Sequence, residues 1–147
     1  MNMDQKRSRR DTDSLRSELM ETADLDAFLS ENADSFHHES VQELLNQLFL
    51  KTDLTKAELA RRSGVSAVYL HQLFAGRRNP SRDRVLCLAI GLSATLENTQ
   101  ELLRRCGLAE LYPKDRRDAI ILYGIAHQDS LQEVNDRLFA QDEDTLI

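Results

Sequence analysis

Histidine and cysteine side chains, which often bind metals or act as nucleophiles, are few and widely separated in this chain. They are His37, His38, His71, His127, Cys87 and Cys106. None stands at the ligand spacing of a zinc site, and neither a glycine-rich phosphate loop nor a nucleophile motif accompanies them. The sequence therefore predicts a protein that is not an enzyme and that holds no metal and no cofactor. The two cysteines are expected to be small core residues.

A second group of polar and basic residues is concentrated between Leu54 and Ser81, in the segment LTKAELARRSGVSAVYLHQLFAGRRNPS. Apolar residues at helical spacing run through it, namely Leu59, Ala60, Val65, Leu70 and Leu73. Ala60 is small enough for a close helix approach, and Gly64 tolerates a left-handed turn. The pattern predicts two short helices clamped together, with the second turned outward. A helix of this width fits the major groove of DNA.

The charge of the chain is unevenly distributed. The net charge is −6, but residues 39–92 carry eight Lys and Arg against five Asp and Glu, a local charge of +3. Residues 1–38 and 93–147 carry −4 and −5. Binding of a polyanion depends on the local face rather than on the total charge. The helix pair therefore lies in the basic third of an acidic chain.

The composition and the helix-start signals predict an all-α fold. Only five glycines and two prolines occur, and long alternating runs of β-branched residues are absent. A Ser or Thr followed three residues later by Glu has the spacing of a capping box. This spacing predicts helix starts at Ser40, Thr55 and Ser130. A further helix is predicted to start at Thr95.

The helix predicted around residues 119–126 is apolar on nearly every side. We expect an inward stripe that includes Ile120 and Tyr123, and Ile121 and Ile125 lie off that stripe. Such a helix is buried either inside the protein or against a second subunit. The sequence leaves both interpretations open, and it makes the C-terminal helices the expected dimer surface.

Four regions are predicted along the chain. Residues 1–38 form an extension, partly disordered with a short helix, and residues 39–93 form the helix-turn-helix domain. Residues 94–140 add C-terminal helices for packing or dimerisation, and residues 141–147 form an acidic, frayed tail. The basic arm Lys6–Arg10 either follows DNA or only adds solubility. No apolar run reaches the roughly 20 residues that span a bilayer, so a cytoplasmic protein without membrane contact is expected.

The segment from Ser40 to Leu92 resembles the helix-turn-helix of the lambda-repressor and Cro family, also called the xenobiotic-response-element (XRE) type. The resemblance rests on Leu59-Ala60, Gly64-Val65-Ser66, Leu70, Gly76 and Asn79-Pro80-Ser81. It implies a lambda-repressor-like domain of five helices, with extra C-terminal helices. It also implies a small bacterial transcriptional regulator, a repressor more often than an activator, that binds double-stranded DNA as a homodimer.

The resemblance also implies roles for individual residues. Base contacts are expected from Ala67, Val68, His71 and Gln72. A glutamine can pair with adenine through two hydrogen bonds, and alanine or valine can pack on a thymine methyl group. Phosphate contacts are expected from Lys56, Ser66, Tyr69, Arg77, Arg78 and Asn79. Where the family commonly has a glutamine, Lys56 keeps the attraction to phosphate but loses the amide.

One alternative from a different functional class remains. The same fold could serve as a protein-interaction adaptor that does not bind DNA, with His71 and Gln72 as ordinary solvated surface. The acidic ends of the chain would then bind a basic protein partner, which is unidentified. In a DNA-binding protein, the same acidic ends could instead cover the DNA-binding face.

Overall fold

The computed structural model describes residues 12–32 and 40–147, and these residues form helices and no β-strand. The helices are α1 (Thr12–Glu21), α2 (Leu25–Glu31), α3 (Val41–Leu50), α4 (Lys56–Ser63), α5 (Ala67–Phe74), α6 (Arg82–Gly91), α7 (Leu96–Arg105), α8 (Arg116–Ala126) and α9 (Leu131–Ala140). The predicted all-α fold is confirmed. The predicted basic arm Lys6–Arg10 and residues 33–39 lie outside the described residues.

The described residues fall into two compact units, 12–32 and 40–147. In the first unit, the carboxylate of Asp24 caps α2 by accepting a hydrogen bond from the N–H of Ala27 at 3.1 Å. Asn32 is buried, and its Nδ2 donates to the carbonyl oxygen of Phe28 at 3.0 Å and to Oε1 of Glu18 at 3.2 Å. These bonds tie the end of α2 to α1.

Side-chain caps begin every helix of the second unit. The capping residues are Ser40, Thr55, Ser66, Ser81, Thr95, Asp115 and Ser130. Each accepts a hydrogen bond from a backbone N–H that the helix itself leaves unpaired. The predicted starts at Ser40, Thr55, Thr95 and Ser130 are confirmed. The reciprocal capping box is complete at Thr55 and Glu58.

Helix α6 is the centre of the second unit, because every residue from Val85 to Gly91 is buried. It packs against α4, α7 and α9. Cys87 is fully buried in α6, and this burial raises the pKa of its thiol to about 11, so the thiol stays protonated. The same core continues into α8 and α9. It therefore runs across residues 93–94, where the sequence predicts a domain boundary, and the boundary itself stays a prediction.

Helix α8 is rotated relative to the sequence prediction. Ile121 and Ile125 are buried, whereas Tyr123 is 50% exposed and Ile120 is half-buried. The predicted inward stripe through Ile120 and Tyr123 is therefore wrong. The side of α8 that faces the core also carries Asp118, a buried carboxylate whose partner lies on α6.

Two ion pairs join α6 to α8, and each helix supplies the arginine of one pair and the aspartate of the other. Arg82 donates from Nη1 and Nη2 to the two carboxylate oxygens of Asp118, at 3.0 and 2.8 Å. Arg117 donates in the same way to Asp83, at 2.9 and 3.1 Å. Two adjacent residues of opposite charge on α6 thus pair with two adjacent residues of opposite charge on α8. Paired, fork-like contacts of this kind fix the relative orientation of two helices.

The C-terminal segment is packed, so the predicted fraying of residues 141–147 is wrong. Leu146 is buried, and its N–H donates to Oδ1 of Asn135 at 2.8 Å. Arg117 also donates to the carbonyl oxygens of Asp144 and Thr145, at 2.9 and 3.2 Å. An apolar anchor and backbone contacts therefore hold a segment whose acidic composition suggests fraying. None of the described helices combines the length and the hydrophobicity needed to cross a membrane.

Candidate nucleic-acid interface

The turn between α4 and α5 has the geometry that the sequence predicts. Gly64 has a φ of 64°, in the left-handed region that favours glycine. The N–H of Gly64 donates to the carbonyl oxygen of Arg61 at 3.2 Å, and the N–H of Val65 donates to that of Ala60 at 3.1 Å. These bonds close the end of α4. The buried side chain of Val65 fills the corner before α5.

Helix α5 has a buried side and an exposed side. Leu70, Leu73 and Phe74 are buried, and the ring of Phe74 meets that of Phe49 edge-on with centroids 5.6 Å apart. The predicted base-contacting residues lie away from these three. Ala67, Val68 and His71 are exposed, with Val68 at 67%, and Gln72 is half-buried. The structure thus brings the four predicted base contacts onto the outward side of one anchored helix.

Ser66 and Tyr69 join the start of α5 to its surroundings. The Ser66 Oγ accepts a hydrogen bond from the N–H of Tyr69 at 3.0 Å. A hydroxyl that accepts one bond can still donate its own proton. Ser66 can therefore cap the helix and contact a phosphate oxygen at the same time.

Two guanidinium groups lie near the ring of Tyr69. The Arg78 guanidinium is 5.2 Å from the centre of the Tyr69 ring, and the Arg84 guanidinium is 5.4 Å from it. Arg78 also donates from Nε to Oε1 of Gln72 at 2.7 Å. A residue predicted to read bases and one predicted to contact phosphate are therefore hydrogen-bonded to each other.

The remaining predicted phosphate contacts flank α5. Lys56, at the first position of α4, holds its Nζ 5.2 Å from the ring centre of Phe74, near the end of α5. Arg77 and Asn79 are exposed in the loop that follows α5. Gly76, two residues after the last residue of α5, has a φ of 74°, in the left-handed region.

The cations near α5 differ from most other described arginines in their pairing. Lys56, Arg77, Arg78 and Arg84 lie within ion-pair distance of no carboxylate among the described residues. By contrast, the arginines of α7, α8 and α9 do pair with carboxylates; they are Arg104, Arg105, Arg116, Arg117 and Arg137. The positive charge around α5 is thus left uncompensated within the described structure.

Two arginines of α6 depart from the sequence prediction. Arg84 lies on the Tyr69 ring and was not predicted as a site residue; its place in the first turn after Asn79-Pro80-Ser81 is the signal that could have found it. Arg82, two residues earlier, contributes to the predicted basic charge. Its guanidinium is instead held by Asp118 and by the carbonyl oxygens of Ala109 and Glu110.

Comparison with known proteins agrees with this geometry. A family model described as a helix-turn-helix domain matches residues 18–102, which is more than half of the chain. The match includes α4, the turn at Gly64 and α5. No curated protein and no solved structure matches the chain.

Proposed function

The chain belongs to this helix-turn-helix domain family, and we propose that it is a transcriptional regulator that binds specific double-stranded DNA as a homodimer, with α5 in the major groove. Family domains of this kind are typical of DNA-binding regulators rather than of enzymes. The simplest action of such a protein is to occupy DNA to which RNA polymerase must bind. We therefore propose that it represses transcription.

The observation that carries the proposal is the uncompensated positive charge beside an exposed helix. Phosphates attract Lys and Arg and release bound counterions when these residues contact them. Lys56, Arg77 and Arg78 are exposed and lack a carboxylate partner among the described residues. Cations in this arrangement can place α5 on the duplex, while side chains of α5 contact the bases.

A homodimer is proposed because one recognition helix covers few base pairs, so specific binding commonly uses two half-sites. Helices α8 and α9 leave a groove of about 450 Å³, with Ala119, Ile120, Tyr123 and Ala140 on its apolar side. Phe139, next to Ala140, is 78% exposed. We assign this groove to a second copy of the chain.

The charges at the groove also suit a second copy. Arg116 and Arg137 line the groove, and each lies beside a carboxylate that does not line it: Arg116 is 3.7 Å from Glu143, and Arg137 pairs with Asp129, so both signs of charge occur around the groove. In a two-fold contact the same surface meets itself, and a surface with both signs can then pair with its own copy. A face with one sign of charge would repel its copy.

Selection of bound sequences from random duplex DNA tests the proposal. The expected result is one enriched motif with two half-sites whose centres lie about 10 base pairs, or a multiple, apart. Binding to that motif is expected to weaken steeply as salt rises, since counterions are released. If no duplex binds even at low salt, the protein does not act on DNA and the adaptor alternative takes its place.

A further inference from the structure

Gln72 and Arg78 form one connected group at the outer side of α5. The Nε of Arg78 donates to Oε1 of Gln72 at 2.7 Å. The same guanidinium lies on the ring of Tyr69, which is half-buried and which Arg84 covers as well. Arg78 is thus held at two points, and one of them is the carboxamide that is predicted to read a base.

The hydrogen bond changes what Gln72 offers to a base. A carboxamide has one oxygen acceptor and one NH₂ donor group, whereas a guanidinium has donors only. The oxygen of Gln72 is engaged by Arg78. Among the described residues, the Nε2 of Gln72 and the two Nη groups of Arg78 have no hydrogen-bond acceptor. The pair therefore presents donors and a positive charge.

Guanine is the base whose major-groove edge matches such a pair. Guanine presents two acceptors there, N7 and O6, whereas adenine presents N7 beside the N6 amino donor. Pairing with adenine requires the glutamine oxygen to accept from N6. A second lone pair remains on that oxygen, but the N6 amino group would then lie next to the Arg78 guanidinium, donor against donor.

We infer that Gln72 and Arg78 act together to select guanine at one position of each half-site. The inference rests on the proposed DNA binding and extends it to the identity of a base. It replaces the prediction that the two residues act independently, with Gln72 pairing with adenine and Arg78 contacting only phosphate.

Modified bases test the inference with the full-length protein. The position to modify is the one whose base preference disappears in Gln72→Ala, determined by selection from random duplexes. In fluorescence anisotropy titrations, 7-deazaguanine at this position, which lacks the N7 acceptor, is expected to weaken binding about tenfold, and adenine at least as much. Inosine keeps N7 and O6 and lacks only the minor-groove amino group, so it is expected to bind like guanine. A preference for adenine at this position overturns the inference.

Variants of the two neighbouring arginines give a second test. Arg78→Ala releases the oxygen of Gln72, so the preference at this position is expected to move from guanine toward adenine, in addition to a general loss of affinity. Arg77→Ala is the matched control, because Arg77 is an exposed neighbour without a carboxylate partner in the described structure. It is expected to weaken all duplexes alike and to keep the guanine preference.

The outcomes separate this inference from the proposed function. If Arg78→Ala behaves like Arg77→Ala and leaves the base preference unchanged, the inference is wrong while DNA binding stands. If the wild-type protein binds no duplex, the proposed function fails and the inference fails with it. Equal thermal unfolding midpoints of the variants and the wild type show that the comparison concerns contacts rather than folding.

Discussion

Arg82 holds Asp118 through two hydrogen bonds of 3.0 and 2.8 Å, across 36 residues of sequence. Arg82 is the first residue of α6, the helix that follows α5 in the chain, and Asp118 lies in the first turn of α8. The N–H of Tyr112 donates to the same carboxylate at 3.0 Å. The buried Asp118 carboxylate therefore joins the C-terminal helix α8 to α6, the helix that follows the helix-turn-helix.

Asp118→Ala is expected to destabilise the protein. The substitution leaves the Arg82 guanidinium and the N–H of Tyr112 without their acceptor, and removing one partner of a buried ion pair costs about 3–5 kcal/mol. We expect a cost near the lower end of this range, because the Arg82 side chain keeps 26% of its surface exposed. Urea unfolding followed by circular dichroism measures the change. Asp136→Ala, at an exposed carboxylate of α9, is the control and should cost far less.

The stabilisation by Asp118 is expected to depend on pH. Burial alone would raise the pKa of the Asp118 carboxyl, but the hydrogen bonds from Arg82 and from the N–H of Tyr112, together with the positive charges of Arg82 and Arg117, outweigh burial and hold its pKa below the usual range. An aspartate whose pKa is lower in the folded state stabilises the fold at pH values above its pKa in the unfolded chain, which is about 3.9. This stabilisation is lost as the pH falls through the lower pKa of the folded state. The difference in unfolding free energy between wild type and Asp118→Asn should thus shrink from pH 6 to pH 3. A constant difference contradicts the assignment.

Gly91 and Ser63 are expected to be coupled, because α4 and α6 approach each other closely at these two residues. A Cβ added to Gly91 would overlap the Oγ of Ser63, and that buried hydroxyl has no hydrogen-bond partner among the described residues. Gly91→Ala should cost about 1–3 kcal/mol by overpacking. Ser63→Ala should be neutral or slightly stabilising, because it removes a buried polar group without a partner.

The double variant tests whether these two residues act through each other. Without the Oγ, the nearest atoms to the new Cβ are the Cβ and N of Ser63, both at 3.2 Å. The double variant should therefore recover about 1 kcal/mol relative to the sum of the single changes. Strict additivity in urea unfolding would show that the overlap with the hydroxyl does not limit Gly91.

Local signals were sufficient to predict much of the fold and the outline of the site. The helix starts at Ser40, Thr55 and Ser130 follow from cap spacing, and the turn at Gly64 follows from the freedom of glycine. These features depend on residues within a few positions of each other. The outward side of α5 was predictable for the same reason, since Leu70 and Leu73 define its inner side.

Features that depend on distant residues were not predictable in this way. On α8, the side that faces the core also carries Asp118, which contacts Arg82 on α6. A local pattern of apolar residues holds no information about this contact, because the two residues are far apart in the sequence. The bond between Gln72 and Arg78 depends on how the loop after α5 returns toward the helix. Composition alone made the C-terminal segment look frayed, although Leu146 anchors it.

Lys56 is expected to contribute to DNA affinity through charge alone. Lys56→Ala should weaken binding to every duplex by a similar factor and reduce the slope of log affinity against log salt by about 1, as for the loss of one phosphate contact. Lys114→Ala is the control, since Lys114 is an exposed lysine just before α8. The measurement is a salt series of anisotropy titrations. If the slope of log affinity against log salt is the same for the two variants, Lys56 does not contact the DNA.

Phe139→Glu is expected to dissociate the proposed dimer, because it removes a large apolar side chain from the contact and puts there a carboxylate that must lose its hydration. Leu50→Glu provides a matched control, since Leu50, at the end of α3, is 79% exposed and Phe139 is 78% exposed. Both changes replace an exposed apolar side chain with a carboxylate, but only Phe139 is the sequence neighbour of a residue that lines the groove, Ala140. Analytical ultracentrifugation should show monomers for Phe139→Glu and dimers for Leu50→Glu and wild type. Phe139→Glu should also weaken binding to a two-half-site duplex more than to a single half-site. A dimer that survives Phe139→Glu and Tyr123→Glu together would place the contact elsewhere on the protein.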